Sequence, residues 1–145
     1  TAVHDRLLPM ARVVTPNLHE AAALTGRSIT TLNDMRAAAR NLHTWNGQWI
    51  VIKGGHMTEA ADALDLVFDG HEFVEMRSTR YNTRNTHGTG CTFSAAITAG
   101  LAKGLTPEEA IRKAKAFVSL AIENALGLGA GHGPTNHLVG IDSRW

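Results

Sequence analysis

An α/β fold, a mainly parallel sheet flanked by helices, is predicted by three observations in this 145-residue sequence. Short apolar, β-branched runs alternate with amphipathic segments of helical period. The runs stop in turns rich in Pro, Asn or Gly, where strand-to-helix connections belong. No internal repeat or low-complexity tract interrupts the alternation. A chain of this length can bury a real core, and a composition of 43% hydrophobic and 19% charged residues excludes a disordered or collagen-like chain.

The first run, Ala11 to Val14, stops at Thr15-Pro16-Asn17. The residue before a proline is pushed toward extended conformations, so this reads as a strand ending in a turn. Leu18 to Thr25 follows as a short helix closed by Gly26. Asn33 or Asp34 is the expected cap of a second helix, in which Met35, Ala38, Ala39 and Leu42 share one apolar face while Arg36 and Arg40 fall on another. Asn46-Gly47 is its expected end. Trp49-Ile50-Val51-Ile52 is an unbroken run suited to a strand buried on both faces, leading into Lys53-Gly54-Gly55-His56. Leu64, Leu66 and Phe68 alternate with Asp65 and Val67 up to Asp69-Gly70, and His71 to Met76 returns, which predicts a hairpin with an Asp-Gly turn. Thr92 to Leu101 is small, apolar and helical, and Thr106-Pro107-Glu108-Glu109 opens a long helix to about Leu126. Gly127, Gly129, Gly131 and Gly133 predict a flexible tail over 127–145.

Charge and cysteine content narrow the chemistry. Fourteen Lys plus Arg against 13 Asp plus Glu give a net charge of +1, and without a basic run there is no footprint for nucleic acid. The single Cys91 forbids an internal disulfide and a thiolate zinc site; with no signal peptide in view, the expected compartment is the reducing cytoplasm. No stretch is long enough to span a bilayer, so no membrane partner is expected. Eight histidines show no metal-ligand spacing. Trp45, Trp49 and Phe117 sit at periodic positions that suit the core. The chain begins at Thr1 rather than Met, as a cut product would.

The segment richest in chemistry is Asn85-Thr86-His87-Gly88-Thr89-Gly90-Cys91-Thr92-Phe93-Ser94-Ala95-Ala96. Its glycines let the backbone turn sharply toward a ligand, and the helix that follows aims its unpaired amides back at the turn, making a nest for an anion. It is neither a Walker A loop, lacking Lys-Ser or Lys-Thr, nor a dinucleotide fingerprint, lacking the third glycine. A tight structural turn with a buried cysteine is the plainer reading of such a segment. A protease-like pairing of Cys91 with His87 is a further reading, with no third group to orient it. Asn17 and Glu20, three apart after a strand end, offer hard oxygens to Mg²⁺, directly or through its water; helix capping by Asn17 with a solvated Glu20 is the alternative. Lys53 is either a phosphate clamp or a snorkelling surface lysine.

Taken together and in order, Thr15-Pro16-Asn17-Leu18-His19-Glu20-Ala21, Val51-Ile52-Lys53-Gly54-Gly55-His56, the Asn85–Ala96 segment and Gly133-Pro134-Thr135-Asn136-His137 closely resemble the hydroxymethylpyrimidine/phosphomethylpyrimidine kinases of thiamine biosynthesis. The likeness runs from about Leu7 to His137, and Thr-His-Gly-Thr-Gly-Cys-Thr is its specific part. The resemblance implies a three-layer ribokinase-like fold and ATP-dependent phosphorylation of 4-amino-5-hydroxymethyl-2-methylpyrimidine and then of its monophosphate. It further implies that Asn17 and Glu20 belong to the Mg²⁺ and water-shell motif, that Lys53 faces phosphate, that the amides of Gly88, Thr89, Gly90 and Cys91 form an anion hole, and that Cys91 holds the catalytic-base position. Related sugar and pyridoxal kinases more often carry Asp there, and His19 stands where the family commonly has Pro.

Family members are roughly twice this length, so the resemblance makes residues 1–145 the C-terminal nucleotide- and magnesium-binding half of one domain. The N-terminal half would supply the first strands and most of the pyrimidine pocket, and could be present as a separate chain; alone, this half is expected to be inactive. The adenine pocket is expected near the loop after Met76 and the helix from Pro107, and a homodimer of the complete enzyme is expected from relatives. A pyridoxine or pyridoxal kinase of the same superfamily is the alternative enzyme, and a non-catalytic nucleotide-binding remnant the alternative outside enzymes.

Overall fold

The computed structural model describes residues 2–44, 48–55, 62–81, 83, 85–127 and 131–140. The chain divides into two compact units, Thr1–Arg80 and Tyr81–Trp145.

The first unit carries a four-stranded sheet ordered β1 (Val13–Val14), β2 (Trp49–Lys53), β3 (Asp62–Phe68) and β4 (Phe73–Thr79). Pairing is parallel between β1 and β2 and antiparallel at the other two junctions, so this sheet is mixed. Two tight turns, π-helical over Val3–Leu7 and 3₁₀ over Leu8–Met10, precede β1 where no element was expected. Fully buried Gln48, next to the first residue of β2, holds the second of these turns. Its Nε2 donates to the carbonyls of Leu8 (2.6 Å) and Ala11 (3.0 Å), while its Oε1 accepts from the Thr44 amide (2.9 Å) and hydroxyl (3.1 Å). Every polar capacity of the amide is thereby met, which a buried side chain of this kind requires.

Helices α1 (Leu18–Thr25) and α2 (Leu32–Leu42) belong to the same unit. The first ends at Gly26, in the left-handed region, as the glycine predicts. The cap of the second is Thr31, not Asn33 or Asp34. Asp34 instead occupies the third helical position and closes a capping box: its Oδ2 accepts from the backbone amides of Thr30 (3.0 Å) and Thr31 (2.8 Å) and from both hydroxyls, and its own amide donates to Thr31 Oγ1 (3.1 Å). The Thr30 amide, then the Thr31 hydroxyl and amide, lower the Asp34 carboxyl from 3.8 to about 2. Met35, Ala38, Ala39 and Leu42 are buried as predicted, in one cluster with Ile50, Ile52, Leu66 and Phe68 of the sheet. The arginines of the other face reach β4, Arg36 to Glu75 at 3.0 Å and Arg40 over the Phe73 ring at 4.8 Å. The helix gives way at His43; Asn46-Gly47, its expected end, and Trp45 lie outside the described residues.

The hairpin of β3 and β4 exists, but the Asp-Gly pair is only half of its connection, which spans Asp69–Glu72. Asp69 Oδ1 accepts from the amides of His71 and Glu72, both at 2.7 Å, building the turn from a side chain. Burial raises the Asp69 carboxyl, yet these amides outweigh it and leave it below its ordinary value. Nor does β3 alternate: Leu64, Asp65, Leu66, Val67 and Phe68 are all buried, so both faces of the strand are covered.

The second unit pairs α3 (Thr89–Ala102) with α4 (Pro107–Glu123). The first begins at Thr89, ahead of the expected Thr92, which puts Gly90 and Cys91 inside its first turn. Thr106 and Glu109 form a capping box at the head of α4, as the Thr-Pro-Glu-Glu pattern anticipates, and the helix stops at Glu123. Phe117 and Trp49 are half-buried. Within the stretch predicted as a flexible tail, residues 131–140 make defined contacts. The His87 amide donates to Gly133 O (3.3 Å), His87 bridges Pro134 in parallel register, and the Asn136 amide donates to Ala121 O (3.0 Å). The tail residues 128–130 and 141–145 lie outside the described set.

Candidate phosphate-facing site

The sequence-predicted residues form two clusters, one in each unit. In the first unit, β1 and β2 run parallel and end together. The Lys53 amide donates to Pro16 O (2.9 Å), and Asn17 and Lys53 bridge as parallel partners. Two separate sequence motifs thus become neighbours at the carboxyl ends of adjacent parallel strands, where open α/β sheets place ligands.

Asn17 and Glu20 are joined by a capping box. Asn17 Oδ1 accepts from the Glu20 amide (2.8 Å), and Glu20 Oε2 accepts from the Asn17 amide (2.7 Å). Asn17 therefore caps α1, and the exposed Glu20 is engaged in the same cap. Among the described residues no group of three or more His, Cys, Asp or Glu gathers as a cation cage. One amide oxygen and one carboxylate suit a Mg²⁺ that keeps most of its water and takes its other ligands from phosphate; they do not suit an all-protein site.

Close approach governs the turn after Lys53. The Gly54 amide donates to Leu64 O (2.8 Å) and to Oδ1 of the buried Asp65 (3.1 Å). A methyl group on Gly54 would collide with the Leu64 carbonyl oxygen and lie 3.1 Å from Met35 Cε, so only glycine fits. Asp65, the register partner of Lys53, stands in the sequence only as one of the residues that alternate with Leu64, Leu66 and Phe68. Its burial and its bond to Gly54 carry no periodic signal that would have revealed them. His56, next in the motif, lies outside the described residues.

The second cluster is the start of α3. Gly88 is its N-cap in the left-handed conformation (φ 82°), a geometry that a side chain would strain. The Thr89 amide makes a long bond to Thr86 O (3.4 Å), and the Thr92 amide closes the first α-helical bond, to Gly88 O (2.9 Å). Among the described residues no acceptor meets the amides of Gly90 and Cys91. They stand at the positive end of the helix, which is what an anion nest requires. Cys91 is exposed, so the reading of it as a buried structural cysteine is wrong. No hydrogen bond joins it to His87 among the described residues. The motif Gly133–His137 also reaches this turn: His137 Nε2 lies 2.9 Å from Thr92 Oγ1.

No helix among the described residues is long and apolar enough to cross a membrane. Comparison with known proteins gives a consistent relationship. The phosphomethylpyrimidine kinase family profile matches residues 1–136. The chain is 48% identical over 135 residues to the hydroxymethylpyrimidine/phosphomethylpyrimidine kinase of Bacillus subtilis (strain 168), covering 93% of this chain and 50% of that protein. It is 43% identical over 137 residues to a pyridoxine kinase of the same organism, covering 94% and 51%. Among solved structures, the pyridoxal kinase from Staphylococcus aureus in complex with AMP-PCP and pyridoxal matches with a TM-score of 0.88 at 41% identity, over 94% of this chain and 52% of that one. The chain spans about half the length of these relatives, and its α/β architecture is that of ribokinase-like kinases. A profile that takes in nearly the whole sequence, with both clusters inside it, establishes that the chain belongs to the phosphomethylpyrimidine kinase family.

Proposed function

We propose that this chain is the nucleotide- and magnesium-binding half of a kinase that uses ATP to phosphorylate 4-amino-5-hydroxymethyl-2-methylpyrimidine and then its monophosphate. The observation that carries the reading is the glycine-built start of α3, where no acceptor among the described residues meets the amides of Gly90 and Cys91, in a chain of this family. Phosphoryl transfer depends on positioning and charge neutralisation more than on covalent chemistry, and these amides can hold the negative oxygens of the moving group. Lys53 contributes a point charge toward phosphate, its backbone held at the strand end by the bond to Pro16. Asn17 and Glu20 would hold the water shell of Mg²⁺, which would supply charge to neutralise the triphosphate. Cys91, exposed at the helix start, takes the proton of the substrate alcohol in the first phosphorylation. In the second, the nucleophile is already a phosphate oxygen and needs little help from a base.

The missing half of the domain, on the same chain or a separate one, supplies most of the pyrimidine pocket, and the complete enzyme is a cytoplasmic homodimer. The test is incubation of the complete enzyme with MgATP and the hydroxymethylpyrimidine, with products followed by phosphorus NMR. Appearance of the monophosphate and then the diphosphate supports the reading; ATP binding without turnover points to a non-catalytic remnant. A second reading, phosphorylation of a B6 vitamer, is favoured by the identity to a pyridoxine kinase and by the structural match to a pyridoxal kinase. Competition between the pyrimidine and pyridoxal in the same assay separates the two.

A further inference from the structure

The motif Gly133–His137 has no role in the chemistry above, yet it contacts the start of α3 by two routes. One is backbone: the His87 amide on Gly133 O, and the His87–Pro134 bridge. The other is a chain of side-chain hydrogen bonds. Thr92 Oγ1 lies 2.8 Å from Gly88 O and 2.9 Å from His137 Nε2. A carbonyl oxygen has no proton to give, so the bond to Gly88 uses the single hydroxyl proton of Thr92. The bond to His137 can then be made only if the imidazole donates from Nε2. Satisfying both contacts fixes the direction of the chain: His137 Nε2–H to Thr92 Oγ1, and Thr92 Oγ1–H to Gly88 O.

We propose that His137 is a positioning residue for the phosphate-facing turn, acting through Thr92 on the carbonyl of Gly88. Gly88 is the left-handed cap whose peptide orientation decides where the amides of Thr89, Gly90 and Cys91 point. Its carbonyl accepts twice, from the Thr92 amide (2.9 Å) and from the Thr92 hydroxyl. A donor polarising that hydroxyl strengthens its bond to the carbonyl, because linked hydrogen bonds reinforce one another. The relay thus holds the peptide that the anion hole is built on, from a segment more than forty residues downstream. The proposal rests on the reading of Gly88–Cys91 as phosphate-facing; the relay itself does not.

The test uses the complete enzyme with three single variants and one double. His137→Ala removes the donor. His137→Gln keeps an N–H the same number of bonds from the backbone. Thr92→Val breaks the relay at its centre. The expected result for His137→Ala is a fall in kcat of about tenfold, the scale of one lost hydrogen bond at a catalytic amide cluster, with the KM for the pyrimidine unchanged. His137→Gln restores most of the rate, and the double variant His137→Ala/Thr92→Val is no slower than Thr92→Val alone. Hydrogen exchange of the Thr92 amide gives a readout independent of activity, expected to quicken about tenfold in His137→Ala and not in His137→Gln. Equal Thr92 exchange in His137→Ala and the parent overturns the relay. Faster exchange with unchanged kcat overturns its action on the phosphate turn. A parent enzyme that phosphorylates no pyrimidine or B6 vitamer overturns the functional reading, while the exchange comparison still decides the relay.

Discussion

Replacing Gly54 with alanine tests whether close backbone approach dictates the turn after Lys53. The added methyl would overlap the Leu64 carbonyl oxygen and press on Met35 Cε at 3.1 Å. Relief requires β2 to move away from β3, lengthening the Gly54 amide bonds to Leu64 O (2.8 Å) and to Asp65 Oδ1 (3.1 Å). A bond to a neutral carbonyl is worth about 1 kcal/mol net and one to a charged group about 2 kcal/mol, while overpacking costs about 1–3 kcal/mol. These overlap, because the overpacking is relieved by stretching the bonds, so the expected loss is about 3 kcal/mol. For a domain of this size that lowers Tm by roughly 6–12 °C. Gly55 is the internal control: a methyl there meets nothing within 4 Å, and Gly55→Ala should stay within about 0.5 kcal/mol of the parent. Urea unfolding of both variants, followed by circular dichroism, compares them directly. Midpoints for the two that differ by less than about 0.5 kcal/mol in stability refute the close-approach argument.

Cys91→Ala should slow phosphorylation of the hydroxymethylpyrimidine more than that of its monophosphate, since only the alcohol needs its proton removed; equal losses in the two steady-state rates contradict the base role. Asn17→Ala should cost about 1 kcal/mol by uncapping α1, whereas Asn17→Asp, which keeps the acceptor, should cost little; urea midpoints check the order. Asp34 should titrate at about 2, against an ordinary 3.8, because amide and hydroxyl donors favour its charged form. A depressed carboxylate contributes its stability fully above the ordinary value and loses it as pH falls through the folded value, so the Asp34 contribution should fade between about 4 and about 2. Carbon-detected NMR titration of the side chain measures the value directly, and a midpoint near 3.8 sinks the explanation.

Periodicity and punctuation made most of the architecture legible. The buried face of α2, the glycine stop after α1 and the threonine cap of α4 are local patterns, each written within a few consecutive residues. The misread features turn on which partners a side chain takes, some adjacent and some far along the chain. Thr31 outcompeted Asn33 and Asp34 as a cap because the box is closed by two residues at once. Alternation sets Asp65 and Val67 apart from Leu64, Leu66 and Phe68, but β3 is covered on both faces and the Asp65 carboxylate accepts from the Gly54 amide. Gln48 gave no warning, since its four bonds reach to Leu8, Ala11 and Thr44. At the site, the motif residues were recognisable in sequence. The neighbouring of Asn17 with Lys53, and of His137 with Thr92, exists only once the chain is folded.

The order of the strands also bears on how the first unit assembles. The register of Val13 with Trp49 closes a span of about 36 residues, whereas β3 and β4 are joined by the short Asp69–Glu72 connection; the difference in closure entropy is about 2 kcal/mol. The hairpin can therefore zip first, and β1 docks on an edge already formed by β2. Asn17 and Lys53 meet only at that late step. A partly opened molecule that keeps its hairpin and β2 but loses β1 would hold most of its strand content and yet lose the pairing of Asn17 with Lys53, so the proposed phosphate-facing geometry would disappear before the spectroscopic signature.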